Sequence, residues 1–242
     1  MMRALRAELI KLSTTRTFIA FVASAVGLSL LVVVLITSLS GDPTRQDLRM
    51  TFTQDFSSLF IALLGVIGMA GEWRHRTIAS TVLSVPQRLR LLAAKLIAYA
   101  IAGVLLSLAV NVVIMGVGTL ILSARGLPTL PFSDLVDLLW RNLAVAAFLG
   151  PIGVGIGALV RNPAVAIVLV LAWGFVAEPI LVNLAPSVGK FGFTGGAPAG
   201  ITQVSQDAFD PLSTGLALLV MAGWVAVFFT AAAATFTKRD LV

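Results

Sequence analysis

Cysteine is absent from these 242 residues, and histidine and tyrosine occur once each. Without cysteine there are no disulfides, no thiol nucleophile and no thiolate metal site. A lone histidine, His75, excludes HExxH and any two-histidine metal site. No GxSxG elbow occurs. No GxxxxGK[ST] phosphate loop occurs either, because the Gly-rich runs at 65–71 and 192–196 lack the lysine. The chain therefore shows no nucleotidase machinery of its own, and no cofactor is expected in it. If its work uses ATP, another polypeptide must bind the nucleotide and its magnesium.

Charge is scarce too. Only 12% of residues are charged, against about 25% in soluble domains. What fills the chain is apolar: 58% of it, in runs of about 20 residues, the length that crosses a bilayer. The sequence pI near 10.8 raises nucleic acid as a partner. The basic residues, however, sit at the ends of apolar runs rather than in one patch, so no nucleic-acid partner is expected. The expected fold is all-α, a polytopic membrane protein forming one domain over 1–242.

Six spans are predicted, at about 17–39, 55–71, 96–122, 141–160, 164–184 and 213–236. With the N-terminus placed inside, 12 cations fall on the cytoplasmic side and 5 outside (Arg45, Arg49, Arg125, Arg141 and Lys190). That bias predicts both termini in the cytoplasm of a cell with this chain in its plasma membrane. Seven acids, Asp42, Asp47, Asp55, Asp134, Asp137, Asp207 and Asp210, fall outside. Ser38-Leu39-Ser40 loosely resembles a signal cleavage site, but the first apolar run is longer than the 7 to 15 residues of a signal core, so no cleavage is expected.

The most informative stretch is 71–95, GEWRHRTIASTVLSVPQRLRLLAAK. Its five cations, Arg74, Arg76, Arg88, Arg90 and Lys95, face one acid, Glu72, between two spans, as expected of a cytoplasmic loop. Within it 77–85 reads as a short surface helix closed by Pro86, suited to receive a push from a soluble partner. Glu72 is expected to anchor the loop by pairing with Arg74 or Arg76. In residues 2–13, Leu5, Leu9 and Leu12 share one helical face while Arg3, Arg6 and Lys11 fall largely away from it, which predicts an amphipathic helix in the headgroup layer. A second interfacial helix is expected at 131–140, with Ser133 as N-cap and Trp140 at headgroup level.

The segment 185–211, with Phe191 and Phe193 in GKFGFTGGAPAG, reads equally as an external lid or a plain loop. Glu178, about 22 Å along the fifth span, is either part of a polar pathway lining or a helix-end residue reaching headgroup water. Gly153 and Gly157 form a GxxxG beside Pro151, suited to a dimer seam or to packing within the chain.

Several of these residues carry a family likeness. RAELIKLSTTR, which contains Arg6, Glu8, Lys11 and Arg16, resembles the opening R-x-E-x-x-K-x-x-x-x-R of ABC-2 type transporter permeases. Glu72, Trp73, Arg74, His75, Arg76, Thr77 and Ile78, with Ser80, Thr81, Leu83, Pro86, Arg88 and Lys95 after them, resemble that family's GE…T…L…P…R…K loop. Arg161-Asn162-Pro163 after the glycine-rich fourth span is similar as well. One departure is Arg76, standing where many members carry glycine.

The resemblance implies a membrane subunit of an ABC exporter. It would comprise two permease chains, as a homo- or heterodimer, over two copies of a separate ABC ATPase subunit. The 71–95 loop would carry the coupling helix, the N-terminal helix would lie beside the ATPase, and the connection between spans five and six would form short re-entrant elements. The substrate would be a hydrophobic or amphiphilic molecule such as a drug, antibiotic or lipid. The residues alone leave two other functions open: a non-pumping membrane sensor or immunity protein, and an ion-driven secondary transporter with Glu178 as its proton site.

Overall fold

In lipid a backbone N–H or C=O without a partner costs several kcal/mol, so long apolar runs can cross only as helices that satisfy their own backbone. The computed structural model of the chain describes residues 2–74, 88–204 and 209–238, and these are all-helical with no strand among them. The elements are α1 (Met2–Thr14), α2 (Arg16–Leu39), α3 (Arg45–Thr53), α4 (Ser57–Arg74), α5 (Arg88–Ala124), α6 (Phe132–Val160) and α7 (Pro163–Ala172). A five-residue π-helical segment (Trp173–Ala177) leads into α8 (Glu178–Leu184). After these come α9 (Pro186–Gly189), α10 (Gly196–Thr202) and α11 (Thr214–Lys238). Six helical stretches are long and apolar enough to cross a membrane, the build of a multi-pass membrane protein. The end of the bundle that holds α1 is called proximal below and the other end distal.

Five of the predicted spans lie inside one of these stretches, the sixth (213–236) overruns Thr214–Thr235 by one residue at each end, and three differ in form. The second is α3 plus α4: Thr44 and Asp47 close a capping box over α3, and the Asp55 carboxylate accepts from the Ser57 N–H at 2.9 Å where α4 begins. The separate interfacial helix expected at 131–140 is the first part of α6 itself, and Pro131, not Ser133, is the cap. No breaker follows Asp137, and Arg45 and Arg49 of α3 neutralise Asp134 and Asp137, so the helix runs on without a break. In the fifth span the π segment sits just before Pro179. A proline there has no N–H to return to the Phe175 carbonyl, and the widened turn makes room for its ring.

The core lies between α4, α5 and α6, where Ile61, Val66, Leu106, Ile114 and Ile152 are buried. The α4–α6 seam is nearly backbone on backbone. A Cβ placed at Gly153 would stand 2.0 Å from the Ala62 carbonyl oxygen, and one at Gly157 would stand 2.7 Å from that of Val66. The GxxxG of α6 therefore serves packing within this chain. By contrast, α2, α7 and α11 turn broad apolar faces outward, with Leu31, Leu35, Val168 and Leu219 exposed, as helices in contact with lipid do.

Candidate functional site

At the proximal end four charged residues from three helices meet. Glu8 lies on α1, one face of which (Ala4, Glu8 and Leu12, spaced by four) is buried against the bundle. The expected face of Leu5, Leu9 and Leu12 is thus turned by about one position, bringing Glu8 to its centre, while Leu5 and Leu9 pack at the side. The reason is charge. Lys95, 1% exposed on α5, donates to Glu8 Oε2 at 2.6 Å and to Glu72 Oε1 at 3.0 Å. Lys11, one turn beyond Glu8, also donates to Glu72 Oε1. Two buried acids and two lysines make a cluster of zero net charge, and a buried cation of this kind is tolerable only because it is paired and hydrogen-bonded.

The partners that the structure brings to Glu72 stand 61 and 23 residues away in the chain, whereas the sequence pointed to adjacent arginines. Arg74 is exposed at the end of α4, and Arg76 lies outside the described residues. So do His75, Thr77, Ile78, Ser80, Thr81, Leu83, Pro86 and the expected coupling helix; of Arg88 only the backbone, as the first residue of α5, is described. Arg6 and Arg16 are exposed and do not join the cluster. Trp73 makes a different junction: its ring lies 4.0 Å from the guanidinium carbon of Arg161, the left-handed residue that caps α6. This is a cation–π contact between the end of α4 and the Arg161-Asn162-Pro163 turn. A small cavity of about 120 Å³ adjoins the cluster, lined by Glu8, Lys11, Lys95, Tyr99 and Gly68 among others.

The distal end is built differently. Glu178 is 1% exposed, so it is not a helix-end residue in headgroup water. Its Oε1 accepts from the N–H groups of Gly195 (2.7 Å) and Gly196 (2.8 Å). Its Oε2 accepts from Trp173 Nε1 (2.7 Å), the Thr194 N–H (3.0 Å) and the Thr194 hydroxyl. Glycine at 192 permits this close approach, because a Cβ there would come within 2.2 Å of Glu178 Oε1. Next to the carboxylate, Phe193 stacks on Trp173 (ring centroids 5.5 Å apart, 4° between planes) and meets Phe228 edge-on at 5.7 Å. Phe191 stays partly exposed, its carbonyl accepting from Trp224 Nε1 at 2.8 Å. Arg141 closes the cap, donating to the Ile201 carbonyl at 2.6 Å and to Thr214 Oγ1 at 3.1 Å. The glycine-rich segment is therefore a packed cap with 196–201 buried, not a plain loop.

Sequence reasoning found Glu8, Lys11 and Glu72 as separate motif members and quoted Lys95 with them, but it missed that they form one site. The available signal was that each is a charge within or beside an apolar stretch and so needs a partner.

No family model matches the chain, and no curated protein is significantly similar to it.

Proposed function

We propose that the chain is the membrane-spanning permease subunit of an ATP-driven exporter of the ABC-2 type. One of two such chains would work above two copies of a separate ATPase, in the plasma membrane. The proximal end is then cytoplasmic, with both termini, in keeping with the 12-to-5 bias of cations toward it. The observation that carries the proposal is the Glu8–Lys95–Glu72–Lys11 cluster, because it joins α1 to the helix that enters 75–87 and to the helix that leaves it. All four residues belong to the motifs that resemble the family.

In this mechanism α1 lies in the cytoplasmic headgroup layer and 77–85 forms the coupling helix. When the ATPases close on ATP, the load enters through 75–87. The buried ion pairs hold α1, α4 and α5 together, so the load reaches the spans instead of deforming the loop. Trp73 on Arg161 extends the same junction to α6. At the far end the packed segment 185–204 is the lid, and Glu178 holds it shut. We assign Glu178 to the lid because four of its five donors lie in that segment, at Thr194, Gly195 and Gly196.

Co-purification in mild detergent tests the assignment. A Walker-A ATPase should accompany the chain, and an intact chain that never brings one down would point to the sensor or ion-driven alternatives. Within the complex, Glu72→Ala should abolish substrate-stimulated ATPase activity at unchanged membrane abundance, since Lys95 keeps Glu8 as partner. Wild-type stimulation in that variant would remove the cluster from the coupling path.

A further inference from the structure

The sequence placed Asp55 among the acids of an external segment, but the structure sets it against the middle of α5. Asn111, whose Nδ2 donates to Asp55 Oδ2 at 2.5 Å, lies about 24 Å along α5 from Lys95 at 1.5 Å per residue. Ser107 donates to the same oxygen at 3.3 Å, and the Ser57 hydroxyl and N–H hold Oδ1 at 2.5 and 2.9 Å. Asn111 is fixed in turn by Asn142, whose Nδ2 donates to its Oδ1 at 2.7 Å and to the Phe52 carbonyl at 3.1 Å. Glu8, Glu72, Asp134 and Asp137 each face a cation. Asp55 forms no ion pair among the described residues, and its polar partners are all neutral.

What Asp55 does face is space. Two cavities of about 290 Å³ each meet at it, and Gln54, Ser58 and Thr194 line both. One is walled mainly by apolar groups, including Ile152, Ile156 and Phe175; the other holds the more polar Thr53, Asn142 and Thr202. A carboxylate at this depth, without a protein counter-ion, favours a positive ligand and disfavours an anion. Apolar walls favour a large cation that sheds water readily over a small, strongly hydrated one. Phe175 and Phe193, which line the apolar cavity, add ring faces suited to such a charge.

We infer that Asp55 and its paired cavities bind a lipophilic organic cation, its charged centre at the carboxylate and its apolar body toward Ile152, Ile156 and Phe175. As a statement of substrate class this rests on the exporter proposal, but binding itself needs no ATPase. The same chemistry is offered by a free amphiphile and by the ammonium headgroup of a lipid.

The test uses the full chain alone in phosphatidylglycerol nanodiscs, with empty discs as control, and two probes: tetraphenylphosphonium and the neutral triphenylphosphine oxide. Saturable binding of the cation, about tenfold tighter than the oxide, is expected. Asp55→Asn should weaken the cation about tenfold and leave the oxide unchanged, while Asp55→Glu should keep the preference. Equal affinities for the two probes in the wild type, or full cation affinity in Asp55→Asn, would overturn the site. The wild-type preference and Asp55→Glu decide even where Asp55→Asn does not insert. Exchanging a neutral glycolipid for phosphatidylethanolamine at a fixed phosphatidylglycerol fraction, so that the surface charge stays the same, separates the sources: a fall in cation affinity identifies the headgroup, and no fall identifies the free amphiphile. Cation binding without any co-purifying ATPase would keep the site and sink the exporter; the converse would sink only the site.

Discussion

Glu72 and Glu178 are both buried carboxylates in apolar helices, yet the protein stabilises them in opposite ways. Glu72 takes its partners from far along the chain, two lysines on two other helices. Glu178 takes its donors from within 18 residues, and all of them are neutral N–H or O–H groups. The first arrangement ties helices together across the bundle. The second folds one local segment onto the helix that carries the acid, without an ion pair to any other span. The proposed exporter, moving at one end and closing at the other, would use both kinds of joint.

Breaking the pairs ought to expose that contrast. Lys95→Met should have the largest effect, because it leaves Glu8 and the Glu72–Lys11 pair without the buried cation between them. Losing one partner of a buried ion pair costs about 3–5 kcal/mol. The thermal transition of the purified chain should fall accordingly, and a shift no larger than that of a surface substitution would deny the cluster its structural role. Glu178→Gln comes next. It keeps the shape but turns one acceptor oxygen into a donor facing N–H groups or Trp173, a loss of about 1–3 kcal/mol for unsatisfied buried donors. Its signature should be local: faster proteolysis within 185–212, with little change at the proximal end. Protection equal to wild type would mean that Phe193 and its aromatic neighbours hold the cap unaided. Lys11→Ala should be mildest. Lys11 is about half exposed and Lys95 remains on Glu72, so the change should stay near the 0.2–1 kcal/mol of surface pairs and weaken as salt rises.

Much of the bundle was legible in the sequence because apolar length is a local signal. Six runs of about 20 residues require only neighbours to interpret. The amphipathic pattern of 2–13 was legible for the same reason, but its rotation was not, since Lys95 stands 87 residues from Glu8. The two arginines beside Glu72 were misleading in that they were near in sequence, whereas helix crossing brings remote lysines nearer in space. The join of 131–140 to the fourth span was hidden because its acids look like a membrane boundary until Arg45 and Arg49 are placed opposite them. Asp55 was hidden by the break between α3 and α4, which lets a residue two places before a helix sit level with the centre of its neighbour.

The glycines between α4 and α6 have a mechanical consequence. Two helices whose main chains touch have no long side chains between them to repack, and so little compliance across the seam. A tilt imposed at Arg74 would thus be transmitted along about 26 Å of stiff rod to Ser57, carrying α6 with it. The acid at position 55 stands at the tip of that rod, where a small rotation at the base becomes the greatest sideways travel.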